Sequence, residues 1–146
     1  MILLFLGGTF TNCGTWTSEK EYNHWNDKIS VIFSSPGISP DTAVDAKIQE
    51  KIAGMIDSAQ NTVEMCVYEL TVPEIYNAMI RAHHRGVNVR FVGDIDCINT
   101  YEGYQALLAE NIPMTLGNPE KIMHNKFVIV DDYFVTLGSA NYTSTG

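Results

Sequence analysis

One stretch of this 146-residue sequence concentrates side chains that could do chemistry: Met123-His124-Asn125-Lys126-Phe127-Val128-Ile129-Val130-Asp131, followed by Gly138-Ser139-Ala140-Asn141. Its skeleton is His-x-Lys, four residues, Asp, six residues, then Gly-Ser-x-Asn. With average residue usage, six fixed positions at fixed spacing arise by chance in a chain this long on the order of one time in a million. The pattern is therefore signal. Alternate side chains of a strand share a face, so His124 and Lys126 point to one side. A hairpin after them returns the chain, and Ser139 and Asn141 arrive near the same end. An imidazole, an ammonium, a hydroxyl and a carboxamide then converge, with Gly138 leading into them. One nucleophile or proton carrier with three hydrogen-bond donors is a suitable cage for a phosphoryl group. His124 taken alone would read better as a surface or structural histidine; Lys126 and Asn141 reverse that.

The elements that must position these groups can be read upstream. Residues 29–34 are β-rich and end at the turn signal Ser35-Pro36-Gly37. A helix follows from the candidate N-cap Asp41, with Ile48, Ile52, Met55, Ile56 and Ala59 on one face. Residues 63–70 form a strand. A second helix runs from about Val72 to Arg85, with Pro73 in its first turn and Ile75, Ala78, Met79 and Ala82 as its apolar face. Gly86 stops it as a C′ residue. Residues 87–94 form another strand, 101–110 a short helix and 112–115 a brief strand. Residues 127–130 and 133–137 pair as a hairpin around Asp131-Asp132, a turn pair less favourable than Asp-Gly but allowed. Strands alternating with helices predict an α/β domain, a central sheet flanked by helices.

The stretch from His124 to Asn141 resembles the HKD signature of the phospholipase D superfamily. The segments Val67-Tyr68-Glu69-Leu70-Thr71, Ile80 to Arg90 and Gly93-Asp94 look like that family's strand, helix, Arg-Gly-Val and strand. The likeness covers roughly Ile29 to the end and is similar to single-motif members such as cardiolipin-hydrolase-like enzymes and bacterial endonucleases. It implies a mixed sheet and a phosphodiesterase with a phosphohistidine intermediate. His124 would attack phosphorus, and Lys126 and Asn141 would neutralise the non-bridging oxygens with Ser139 and Gly138 in support. Asp131 would fix the hairpin rather than touch substrate. The resemblance implies no metal and no cofactor. The family uses two motifs per site and this chain has one, so a homodimer mate or a further C-terminal half is expected to supply the second His. The family's fold also continues past Gly-Ser-x-Asn, so the domain is expected to be incomplete at its C-terminus.

Composition narrows the substrate. Nine basic residues against seventeen acidic ones give a net charge of −8. That balance argues against tight, sequence-blind binding of nucleic acid, and Arg81, Arg85, Arg90, Lys121 and Lys126 are a sparse basic set for a polyanion. Phospholipid is the expected substrate; a nuclease acting on DNA or RNA through the same site, or an inactive fragment or binding module, are the alternatives. Cys13, Cys66 and Cys97 make neither a zinc pattern nor a disulfide framework, and Cys66 reads as a buried free thiol. The apolar start, ending at Cys13, resembles a bacterial lipoprotein signal, although no Lys or Arg precedes it. Residues 1–28 are accordingly read as an export signal and tether, with a lipid anchor at Cys13 and a cell-envelope or periplasmic location. The alternative is that the apolar start is a strand. The enzyme domain is then 29–146. His24, Trp16 and Trp25 belong to the tether, His83 and His84 to a helix surface, Asp94 and Asp96 to a solvated strand end, and Glu69 to the border of the pocket.

Overall fold

A computed structural model describes residues 2–6, 29–33 and 42–143. Its strands are β1 (Ile2–Leu6), β2 (Ile29–Phe33), β3 (Thr62–Val67), β4 (Asn88–Gly93), β5 (Met114–Leu116), β6 (Lys126–Val130) and β7 (Phe134–Gly138). Its helices are α1 (Thr42–Asp57), α2 (Pro73–His84) and α3 (Glu102–Ala109). The strands form one seven-stranded sheet in the order β2-β1-β7-β6-β3-β4-β5. β3, β4 and β5 run parallel. β6 lies antiparallel to β3, and β7 antiparallel to β6. The mixed α/β sheet expected of the sequence is the one observed.

Periodicity explains the layers. In β4, Val89, Phe91 and Gly93 are buried while Asn88, Arg90 and Val92 are exposed, the period-two alternation of a sheet with one covered face. In α2 the buried residues are Ile75, Ala78, Met79 and Ala82, the face read from spacing. Ile75 and Met79 are completely buried, and each such side chain contributes about 1.5–3 kcal/mol by leaving water. Ile48, Ile52, Met55 and Ile56 of α1 join the same core. Pro73 occupies the first turn of α2, and Gly86, at φ +86°, follows its C-cap Arg85. There its N–H reaches the His83 carbonyl and the Val87 N–H reaches that of Ala82, a closure that needs a left-handed residue.

The structure departs from the sequence reading in three places. β3 stops at Val67 rather than residue 70, because the Tyr104 hydroxyl bonds the carbonyls of Val67 and Tyr68 at 2.9 and 2.8 Å. Leu70 instead makes an isolated bridge with Tyr142. A 3₁₀ turn at Ile95–Cys97 follows β4, nucleated when the Asp94 side chain accepts the Asp96 N–H. Ile2–Leu6, placed with residues 1–28 outside the domain, is β1 inside the sheet, antiparallel to β2 and β7. Both edges of those residues find backbone partners, the pairing that the strand alternative requires. The tether residues His24, Trp16 and Trp25, the anchor candidate Cys13, the Ser35-Pro36-Gly37 turn and the Asp41 cap lie outside the described residues.

Candidate active site

The parallel register of β3 and β4 brings their carboxyl ends to one edge, where crevices form in α/β sheets. β6 runs the other way, so its first residue, Lys126, pairs with Val67, the last of β3. The start of β6 and the end of β3 therefore meet. Tyr104 holds this edge: its hydroxyl accepts the Asp94 N–H at 3.0 Å while bonding the carbonyls of Val67 and Tyr68 at the end of β3. Gly93 makes room for it, since a Cβ there would lie 2.4 Å from the Tyr104 ring.

His124 rides on the loop between β5 and β6, and that loop is pinned to the end of β4. The Gly117 N–H bonds the Gly93 carbonyl at 2.8 Å. The Met123 N–H bonds Asp94 Oδ2 at 2.7 Å. Asp94 is only 2% exposed, which corrects the reading of a solvated strand-end carboxylate: its side-chain oxygens leave water because they accept from two backbone amides. Asp96 is exposed, as expected. Cys66 Sγ lies 3.2 Å from Met123 Sδ behind the loop, and Cys66 and Cys97 are both free and buried.

His124 and Lys126 both face the ring of Tyr68. The His124 ring centroid is 5.2 Å from that of Tyr68, and Lys126 Nζ is 5.8 Å from the same ring. The shared face survives even though β6 begins only at Lys126. Lys126 is 5% exposed, and its Nζ donates to the His124 carbonyl at 2.8 Å. Burial pushes the Lys126 ammonium below the ordinary lysine value, against the opposing pull of Glu69 and Cys66. The His124 side chain itself is exposed and open to an incoming group.

Asn141 arrives from the other arm of the hairpin. The residue after it, Tyr142, is sewn to the β3–α2 connection: its N–H bonds the Glu69 carbonyl, and its carbonyl accepts from Thr71 and Val72. Asn141 Nδ2 then donates to Glu69 Oε2 at 2.9 Å, while its Oδ1 is buried without a partner among the described residues. The Tyr101 hydroxyl donates to Glu69 Oε1 at 2.6 Å. That hydrogen bond, then burial, pushes the Tyr101 hydroxyl up to about 12. His124, Lys126 and Asn141 thus converge through Tyr68 and Glu69. Ser139 is exposed just beyond β7 and Gly138 is the strand's last residue; no described contact joins either to the other three. Asp131 sits at the far end of the hairpin, accepting the N–H groups of Gln60, Asn61 and Thr62 at 2.9, 2.7 and 2.8 Å.

Tyr68 and Tyr101 were not legible as site residues, and Glu69 only as a neighbour. Tyr68 reads as one more aromatic of a buried strand, and Tyr101 carries no spacing relation to the motif. Among the described residues no group of three His, Cys, Asp or Glu side chains is arranged to hold a metal.

A family sequence model described as "Cardiolipin synthase, PLD-like domain" matches residues 52–146. The chain belongs to the phospholipase D superfamily. Relatives of this phospholipase D-like chain include the mitochondrial cardiolipin hydrolase of Xenopus tropicalis, 33% identical over 87 residues, covering 58% of this chain and 41% of the relative. A phospholipase D of Rickettsia conorii is 28% identical over 134 residues, 87% of this chain and 62% of the relative. Among solved structures, the phospholipase D family member Nuc from Salmonella typhimurium aligns with a TM-score of 0.57 at 32% identity, covering 64% of this chain and 63% of that one. The chain spans about two fifths of the length of the cardiolipin hydrolases it matches.

Proposed function

We propose that this chain hydrolyses a phosphodiester of a phospholipid through a covalent intermediate on His124. A ring nitrogen of His124 attacks phosphorus as the ester P–O bond breaks. A second His, from a second copy of the motif, gives its proton to the departing oxygen. Water then gives a proton to that second His and attacks phosphorus, the P–N bond breaks, and His124 is restored. The second motif comes from a two-fold mate or from a further segment of the protein. Lys126 and Asn141 stabilise the charge on the non-bridging oxygens. No residue in this scheme requires a metal.

The observation that favours lipid over nucleic acid is what the arginines are doing. Arg81 makes two hydrogen bonds to Asp57, Arg85 lies 3.7 Å from the same carboxylate, and Arg90 is bonded to Glu64. Arg81 and Arg85 share one carboxylate and Arg90 has another, so three cations are set against two anions and the arginines offer little net charge to a polyanion. Ile122, two residues before His124 in the chain, is 67% exposed, an apolar side chain left in solvent that an acyl chain could cover. A relationship to Nuc at 32% identity keeps a nuclease as the second reading. The deciding experiment assays intact and His124→Ala protein, with EDTA present, on anionic phospholipid vesicles, single-stranded DNA and RNA. His124-dependent release of lipid products is expected. Activity confined to nucleic acid would replace the lipid reading, and activity restored only by a divalent ion would overturn the mechanism.

A further inference from the structure

Among the described residues, Glu69 is the one acidic side chain that contacts a residue of the proposed phosphoryl cage, and the mechanism leaves it unused. It follows directly on Tyr68, just past the end of β3, and each of its oxygens has one side-chain donor. Oε1 takes the Tyr101 hydroxyl at 2.6 Å and Oε2 takes the Asn141 amide at 2.9 Å. A carboxylate can only accept, so it admits Asn141 in a single orientation, with the NH₂ end inward. A flipped amide would set oxygen against oxygen. The fixed orientation leaves Asn141 Oδ1 buried and without a partner among the described residues, an arrangement that costs free energy unless something offsets it. Tyr101 in turn fixes the carboxylate from the N-cap of α3, where Gly103, two residues on, donates its N–H to the Leu70 carbonyl.

We infer that Glu69 is a positioning residue for the phosphodiesterase site, setting the orientation of the Asn141 amide through a direct hydrogen bond and supplying the negative field beside the buried Lys126 ammonium. The inference rests on the reading of Lys126 and Asn141 as phosphate donors. No ion pair joins Glu69 to Lys126 among the described residues, so Glu69 acts there through space. The groups facing Lys126 are Cys66 of β3, Tyr68 and Glu69 after it, and His124 on the preceding loop. Burial lowers the Lys126 ammonium and Glu69 raises it, so removing the Glu69 charge lets burial act with less opposition. The donor form of Lys126 is then lost at lower pH.

The test compares wild type, Glu69→Gln, Glu69→Asp and Tyr101→Phe on bis(p-nitrophenyl) phosphate across pH, alongside an NMR titration of the Lys126 side chain. Glu69→Gln is expected to lower kcat roughly ten- to a hundredfold, the range for losing a hydrogen bond to a charged group. Its alkaline limb and the Lys126 titration should both move to lower pH. Glu69→Asp, which keeps the charge, should lose rate while retaining the limb, and Tyr101→Phe should lose less rate with the limb unmoved. If Glu69→Gln does not fold by circular dichroism, the two milder variants carry the comparison. A wild-type rate and limb in every folded variant, or a Lys126 titration indifferent to Glu69, would overturn the inference. Turnover unaffected by His124→Ala would instead defeat the proposed function, while the Lys126 titration still decides the role of Glu69.

Discussion

The β6–β7 hairpin has a closed end and an open end, and each carries a carboxylate with several hydrogen-bond donors around it. At the closed end Asp131 and Asp132 are both left-handed, at φ 53° and 55°, and the Asp131 carboxylate takes three backbone amides of the α1–β3 connection. Every partner there is main chain. At the open end Glu69 takes two side chains, Tyr101 and Asn141, beside a buried ammonium that is satisfied by a single carbonyl. Backbone donors fix the course of the chain, whereas side-chain donors can be re-aimed when a ligand arrives. Two carboxylates within one sheet thus serve different ends, one locking the fold and the other arranging a site. The His-Lys-Asp spacing runs them together, because one strand's length separates its chemical end from its structural end.

The sharpest way to break this division is to remove groups at the open end and look for damage to the fold. His124→Ala is expected to abolish turnover, a loss of about 10⁴-fold or more for a covalent nucleophile. Its melting temperature should stay at the wild-type value, because the side chain is exposed and leaves no cavity. Lys126→Ala and Asn141→Ala should each lower the rate about 10²–10³-fold, the cost of one oxyanion-type donor. Lys126→Ala should also destabilise, since Lys126 is 5% exposed and its stem fills core space. Wild-type rates in any of the three, measured on whichever substrate the lipid, DNA and RNA assay selects, would place the active site elsewhere.

Much of this division was legible beforehand. Helical spacing located α1 and α2, a run bounded by polar residues located β3, and Gly86 marked the stop of α2, because each of these signals is local. His124, Lys126 and Asn141 were legible because their mutual spacing is fixed by a hairpin, the shortest tertiary structure there is. What stayed hidden was long-range. Tyr101 reaches Glu69 across 32 positions and Asp94 reaches Met123 across 29, and no periodicity records either distance. Asp94 was misread for the same reason. A carboxylate at a strand end is usually solvated, and only the fold reveals that a loop from further along the chain closes over it. Ile2–Leu6 illustrates a third kind of ambiguity, since a short apolar run suits both a signal and a strand.

At the closed end the expected damage is to stability alone. Asp131→Ala removes the acceptor for three amides and puts a residue with less tolerance for φ 53° into the turn. Water can replace the bonds to Gln60 and Asn61, which are exposed, so the net cost should be about 2 kcal/mol. Asp131→Asn keeps one acceptor oxygen and the left-handed preference, and should cost less. The rate per folded molecule, determined alongside urea unfolding, should match wild type in both. A catalytic loss without a stability loss would move Asp131 into the chemical end of the hairpin.

The smallest effect expected is the dependence of that stability on acid. Burial tends to raise the Asp131 carboxyl, but the amides of Thr62, Gln60 and Asn61 outweigh it, and the group lies below its ordinary value of 3.8. A carboxyl held low in the folded chain binds protons more readily when unfolded, so the unfolded state gains as pH falls. The Asp131 contribution is therefore fully present above the unfolded value, begins to fade near pH 4, and is gone once pH drops below the depressed folded value. Comparing wild type with Asp131→Asn isolates this group, since the other carboxylates titrate in both. The difference in urea midpoint should be constant from pH 7 to about 5 and shrink on further acidification. A difference that stays level down to pH 3, or widens, would mean that the three amides do not hold the charged form. The closed end would then be locked by its backbone hydrogen bonds and left-handed turn without help from the Asp131 charge.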